Sequence, residues 1–134
     1  MSTDANRSDF LSAAAALSAA LGVGLGAYGA HGLAVDQSLV DIWRTGVAYQ
    51  MWHALGAFAC AWLATRRSGR TARVARAAGW MLLAGSGAFA FSLYVFVLDG
   101  IVPVTGMAPA GGMVMITGWL LLAYAAIRRG TAIF

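Results

Sequence analysis

His31 and His53, with the tyrosines Tyr28, Tyr49 and Tyr94, are the side chains in this sequence best equipped to bind a ligand or move a proton. His31 stands in GAYGAHGL and His53 in YQMWHALG. Tyr49 and His53 are four residues apart, so a helix presents them on one face with Gln50 beside them. Ser92, Tyr94 and Asp99 form a later polar run in FSLYVFVLDG. Three kinds of chemistry suit such a set. The groups can hydrogen-bond to one another and fix helix register. They can line a pocket for a small amphipathic molecule such as a lipid or quinone headgroup. Alternatively, the two histidines can ligate a metal or haem, although two imidazoles without a carboxylate partner make a thin ligand set. No Ser/His/Asp arrangement, paired carboxylates or HExxH pattern is present, so no catalytic residue, cofactor or metal is expected.

Composition sets the medium in which these groups act. The 134 residues are 60% hydrophobic and 10% charged, with mean hydropathy +0.74. Nine arginines face five aspartates, without lysine or glutamate, for a formal charge of +4. A soluble domain carries roughly a quarter charged residues. So few charges cannot coat a water-facing globule, which excludes an ordinary cytosolic enzyme, a disordered chain and a nucleic-acid reader. The lone Cys60 lies in an apolar run and reads as a packing residue.

A bilayer core about 30 Å thick takes about 20 apolar residues in helix, and four runs qualify, at about 10–33, 42–65, 77–98 and 107–127. The first follows a segment with Asp4 and Asp9 against Arg7 and is longer than the apolar part of a signal peptide, so it reads as a retained span. The fold class is therefore an all-α integral-membrane four-helix bundle, one domain throughout. Arg66, Arg67, Arg70, Arg73 and Arg76 crowd the connection between spans two and three, and Arg128 and Arg129 follow span four. Arginine-rich short loops stay in the cytoplasm, which predicts that both termini lie inside. Asp36, Asp41 and Asp99 then lie outside, and an Arg44–Asp99 pair becomes possible there. Every notable polar side chain falls in the outer half, with His53 about 10 Å below the boundary at 1.5 Å per residue. Ionisable groups at that depth are costly and are functional candidates by default.

Close packing is available from small residues. Ala15, Ala19, Gly22, Gly26 and Gly29 make a stripe on span one, and Ala84/Ala88 and Ser86/Ala90 repeat the spacing on span three. Between spans one and two, Leu39, Ile42, Trp43 and Val47 recur at helical spacing, which predicts a short amphipathic outer segment with Trp43 at the headgroup level. After span three, Pro103, Pro109 and Gly111-Gly112 predict a bent, ordered loop that partly re-enters the outer surface.

GAYGAHGL, YQMWHALG, FSLYVFVLDG and APAGGMVMITGWLLLA together resemble the small inner-membrane family of YgdD-like proteins, the domain-of-unknown-function family four-twenty-three. The four blocks occur in the family's order and cover most of residues 26–123. Ala90-Phe91, Asp99 and Ala108 depart from the family pattern, while the His31 and Tyr49/Gln50/His53 motifs match it. The resemblance implies a four-helix membrane protein without an assigned activity. Combined with the outer-half placement, it suggests that the two histidine motifs, Ser92-Leu93-Tyr94 and the Pro-Gly-Gly segment belong to one site. The expected role is a small accessory or interaction protein of the bacterial inner (cytoplasmic) membrane. The alternative is an outer-leaflet binding or permeation module for a lipid, quinone or similar molecule. Expected partners are membrane lipids and either a larger membrane protein or a second copy of the chain.

Overall fold

The computed structural model describes residues 9–128, which form four α-helices and no strand. They are α1 (Phe10–His31), α2 (Gln37–Thr65), α3 (Gly69–Asp99) and α4 (Met107–Ile127). Asp9 caps α1 by accepting the Ser12 backbone N–H at 3.0 Å and the Ser12 hydroxyl. These bonds hold the Asp9 carboxyl below its ordinary pKa. At its other end α1 closes on Gly32, whose N–H donates to the Tyr28 carbonyl at 2.7 Å.

The amphipathic segment expected after α1 is the start of α2 itself. The Asp36 carbonyl accepts the N–H groups of Leu39 and Val40, at 2.9 and 3.0 Å, and the helix then runs unbroken through Trp43 to Thr65. Helix α3 also starts early, at Gly69 rather than near Ala77, because Arg70, Arg73 and Arg76 sit among good helix formers and extend the coil beyond its apolar part. Helix α4 begins at Met107 as expected, yet Pro109, Gly111 and Gly112 lie inside it rather than in a bent loop. Proline is tolerated in a first turn, where its missing N–H has no helical acceptor.

Each helix packs on its neighbours in the chain, α1 and α3 touch briefly, as do α2 and α4, and the backbones of α1 and α4 do not meet. The arrangement is thus an open series with α2 and α3 at its centre. At 1.5 Å per residue the central helices are about 43 and 46 Å long and the flanking ones about 33 and 31 Å, the latter close to the thickness of a hydrocarbon core. Helices α1, α3 and α4 are each long and apolar enough to cross a membrane. Helix α2 falls outside that group because Tyr49, Gln50 and His53 interrupt its apolar stretch and Asp41 and Arg44 lie in its first turns.

Small residues let the helices approach. A Cβ at Gly85 would lie 2.8 Å from the Gly111 carbonyl oxygen, and one at Gly111 would lie 2.6 Å from that of Gly85. The α3–α4 seam is therefore backbone against backbone. On α1, Ala15, Gly22 and Gly29 of the expected stripe are buried. On α3, Ser86 and Ala90 are buried, whereas Ala84 is exposed and Ala88 is half-buried at the edge of a recess.

Candidate functional site

The junction of α1, α2 and α3 is built around Trp43 and Gln50. A Cβ at Gly29 would lie 2.5 Å from the Trp43 indole, and one at Gly46 would lie 2.8 Å from the Tyr94 ring. Those two glycines make room for the aromatic groups between helices. Trp43 is 2% exposed, so it is an interior side chain and not the headgroup-level anchor its amphipathic spacing suggested. Its indole N–H donates to the Leu25 carbonyl at 2.8 Å. Tyr28 and Tyr94 pack on either side, with ring centroids 5.4 and 4.6 Å away.

Gln50, 5% exposed, joins all three helices. Its amide nitrogen donates to the Ser18 carbonyl on α1 at 2.9 Å, and its amide oxygen accepts the Tyr94 hydroxyl of α3 at 2.8 Å. Gly22 makes room beside it for Met51, since a Cβ there would lie 2.7 Å from the Met51 sulfur. Both ends of a buried amide are thus paired, as low-dielectric surroundings require.

Tyr49 and His53 belong to a different face. His53 Nδ1 lies 2.6 Å from the Tyr49 carbonyl oxygen, so Nδ1–H is the donor and Nε2 carries the free lone pair. The imidazole stacks on the Tyr49 ring at 5.8 Å and 12° and meets Trp119 of α4 edge-on at 5.7 Å. Tyr49 also packs on Phe89 of α3, with centroids 4.7 Å apart. One turn of α2 therefore feeds two clusters: Gln50 reaches α1 and α3, while Tyr49 and His53 reach α3 and α4.

The remaining expected residues scatter. His31 is exposed at the end of α1, Tyr28 is 43% exposed, and Ser92 is buried within α3. Residues expected to share one site thus divide between two buried clusters and an exposed helix end. Arg44 does not pair with Asp99; it lies 4.0 Å from Asp41, one turn earlier in its own helix, and both side chains are largely exposed. An i,i+3 neighbour is always within reach, whereas Asp99 sits on the last turn of another helix. Among the described residues no three His, Cys, Asp or Glu side chains gather in a way that could hold a metal ion.

The arginines after α2 and α4 collect at the end of the molecule opposite Asp36, Asp41 and Asp99. Arg66 lies over the Trp62 ring and Arg128 over the Tyr124 ring, at 5.1 and 5.4 Å. Arg67 reaches across to α4, where Nε donates to the Ala125 carbonyl at 3.1 Å and Nη2 to that of Ala126 at 2.9 Å. Its guanidinium thereby caps the C-terminal end of α4 from the α2–α3 connection. Arg70, Arg73 and Arg76 line the first turns of α3, and Arg129 lies outside the described residues.

Phe89, Trp119 and the Ser18 carbonyl were not singled out by sequence reasoning, nor was Trp43 as an interior group. The available signal was the glycine opposite each large aromatic: Gly29 and Gly46 for the Trp43–Tyr94 pair, and Gly56 for Trp119.

Four helices, three of them apolar enough to span a bilayer, with paired polar groups between them, define a small helical membrane protein. A family model described as "Protein of unknown function (DUF423)" matches residues 25–112, and the chain belongs to that family. It is 40% identical over 115 residues to UPF0382 membrane protein YwdK of Bacillus subtilis, covering 84% of this chain and 92% of that relative. It is 38% identical over 109 residues to UPF0382 membrane protein SSP2132 of Staphylococcus saprophyticus, covering 80% and 88%. Against UPF0382 membrane protein SAB0533 of Staphylococcus aureus the identity is 36% over 115 residues, covering 84% and 91%. No solved structure matches the chain.

Proposed function

We propose that this protein crosses the bacterial inner membrane four times, with both termini in the cytoplasm, and serves there as an accessory or interaction protein. The observation that carries this reading is Gln50. The most polar uncharged side chain of the interior is spent on joining α1, α2 and α3, with both of its polar atoms occupied by protein. It is therefore a register device, held between the helices by protein partners at both of its polar atoms.

The same bonds explain how α2 serves as the fourth span. Its polar groups face other helices, so they add little to the cost of inserting the assembled bundle. The outward sides of the flanking helices are apolar: Leu17, Leu21 and Val23 on α1, and Met113, Ile116 and Leu120 on α4, are all more than half exposed. Because α1 and α4 do not close on each other, both faces are free to meet a neighbouring membrane protein or a second copy. The arginine end fits the cytoplasmic side, where short basic loops are retained.

Fusing topology reporters to each terminus and releasing the chain gently from bacterial membranes for native mass spectrometry tests both halves. Cytoplasmic signals at both ends, and a chain that leaves the membrane bound to another protein, are expected. A terminus that reports from outside overturns the orientation, and a chain that is always released alone overturns the accessory role.

A further inference from the structure

A second feature of the outer half lies away from both aromatic clusters. At the Gly85–Gly111 contact about 21 Å of α3 remains before its end, against about 6 Å of α4, at 1.5 Å per residue. Helix α3 therefore projects about 15 Å further, and residues 100–106 must run back along it, which seven residues can do at up to about 3.3 Å each. Gly100 and Gly106, with φ of 70° and 83°, make the reversals at the two ends of this connection in a conformation that side chains disfavour.

The returning strap leaves a recess of about 340 Å³ between α3 and α4. Ala84 and Ala88 of α3, Ala110 and Val114 of α4, and Val104 and Thr105 of the strap line it. These side chains are too small to fill the space beside the close Gly85–Gly111 contact. The Thr105 hydroxyl is the sole polar side-chain group along the lining, so a sugar, an ion or a charged headgroup would enter without partners. An apolar hollow of this kind does not hold water either. The surroundings indicate what does fill it. Ile101, Val102 and Val104 of the strap are each more than half exposed, as are Ile116 and Leu120 further along α4. Such surfaces are stable beside hydrocarbon, so the recess opens sideways onto lipid chains.

We infer that this recess is a binding site for one acyl chain of a membrane phospholipid, roofed by the 100–106 strap. The chain fills space that the protein leaves empty and restores dispersion contacts to both walls. Its headgroup stays outside, near the strap, and no polar contact from the recess is needed. The inference rests on the membrane placement proposed above, but it does not rest on the accessory role.

The test uses the full chain reconstituted in vesicles of phosphatidylcholine and phosphatidylglycerol, with a trace of phosphatidylcholine carrying a photoreactive diazirine at mid-chain. After irradiation, labelled positions are mapped by mass spectrometry. Labelling at Ala110 and at the half-buried Val114 is expected to exceed that at the exposed Ile116 and Leu120 by about tenfold, the ratio given by ~1.4 kcal/mol of preference. Ala88→Phe fills the recess and is expected to bring Ala110 and Val114 down to the level of Ile116, and Ala84→Leu does the same from the deeper end. Helical content and melting temperature of each variant report that it is folded. Labelling that simply follows exposure overturns the inference, since it describes bulk lipid. Weak labelling at the recess together with cross-linked dimers also overturns it, because a second copy then occupies the site. A chain that fails to enter the vesicles at all instead defeats the membrane placement.

Discussion

The two seams flanking the central helices hold together by opposite means. Between α1, α2 and α3, large aromatic rings and a glutamine fill the space that glycines clear, and three hydrogen bonds cross the helix boundaries. Between α3 and α4, Gly85 and Gly111 bring backbone to backbone with no side chain between them. Lipid gives helices no hydrophobic reason to associate, so both devices are needed: close contact gains dispersion energy, and polar bridges set register. The polar seam tolerates adjustment because side chains can shift. A backbone contact cannot, and this asymmetry orders the expected consequences of mutation.

The largest effect is expected at Gly111. A leucine there would place its Cβ 2.6 Å from the Gly85 carbonyl oxygen and 2.9 Å from the Phe89 backbone nitrogen. Neither atom can rotate away, so the helices must part, at a cost of about 3 kcal/mol. Reversible unfolding in detergent micelles should show that loss for Gly111→Leu. At Gly24 or Gly112, where an added Cβ meets nothing within 4 Å, an alanine should leave stability nearly unchanged. A tolerant Gly111 would mean that the α3–α4 seam is no tighter than the rest.

At the polar seam the effects are smaller and coupled. Tyr94→Phe removes one bond, worth about 0.6 kcal/mol by the average for interhelical bonds in membranes. Gln50→Leu removes two and is expected to cost about 1–2 kcal/mol, still below the Gly111 effect. In the double variant the costs should fall short of their sum, because Tyr94 has already lost its acceptor. Strict additivity would dissolve the Gln50–Tyr94 bridge and, with it, the register argument.

Much of this architecture was legible in the residues. Helix α4 occupies the predicted 107–127, and α1 ends within two residues of its predicted limit, because uninterrupted apolar runs have few other solutions in a bilayer. What sequence could not reveal was which neighbour each polar face meets. Tyr49, Gln50 and His53 stand within five residues, and helical spacing alone groups them. The structure divides them because α2 is central, with α1 and α4 on different sides. Trp43 misled for a similar reason: its spacing is that of an interfacial anchor, and only Gly29 on another helix turns it into a core residue. The identity of α2 as a long, continuous helix was hidden by Asp41 and Arg44, whose charges mark an interface without breaking the coil.

The smallest effect is expected at Arg67, and it sharpens the comparison at the far end of the α3–α4 seam. That seam has no polar bridge in its middle, yet its arginine-rich end is fastened by a guanidinium on two carbonyls of the last α4 turn. Arg67→Gln keeps some hydrogen-bonding capacity but loses the charge that favours a helix C-terminus. Because the group is partly solvent-exposed, global stability should fall by only about 0.5 kcal/mol. The clearer readout is local: amide exchange at the last turn of α4 should quicken, while amides beside Gly111 stay protected. Arg67→Lys restores the charge without the two-pronged geometry, so it should recover the electrostatic part and leave the last turn partly frayed. If lysine restores full protection, the arginine acts as a point charge near the helix end. Unchanged exchange in both variants would mean that packing of Ala125 against Leu63, Ala64 and Ala75 already holds that turn, and that the seam needs no polar fastening at either position.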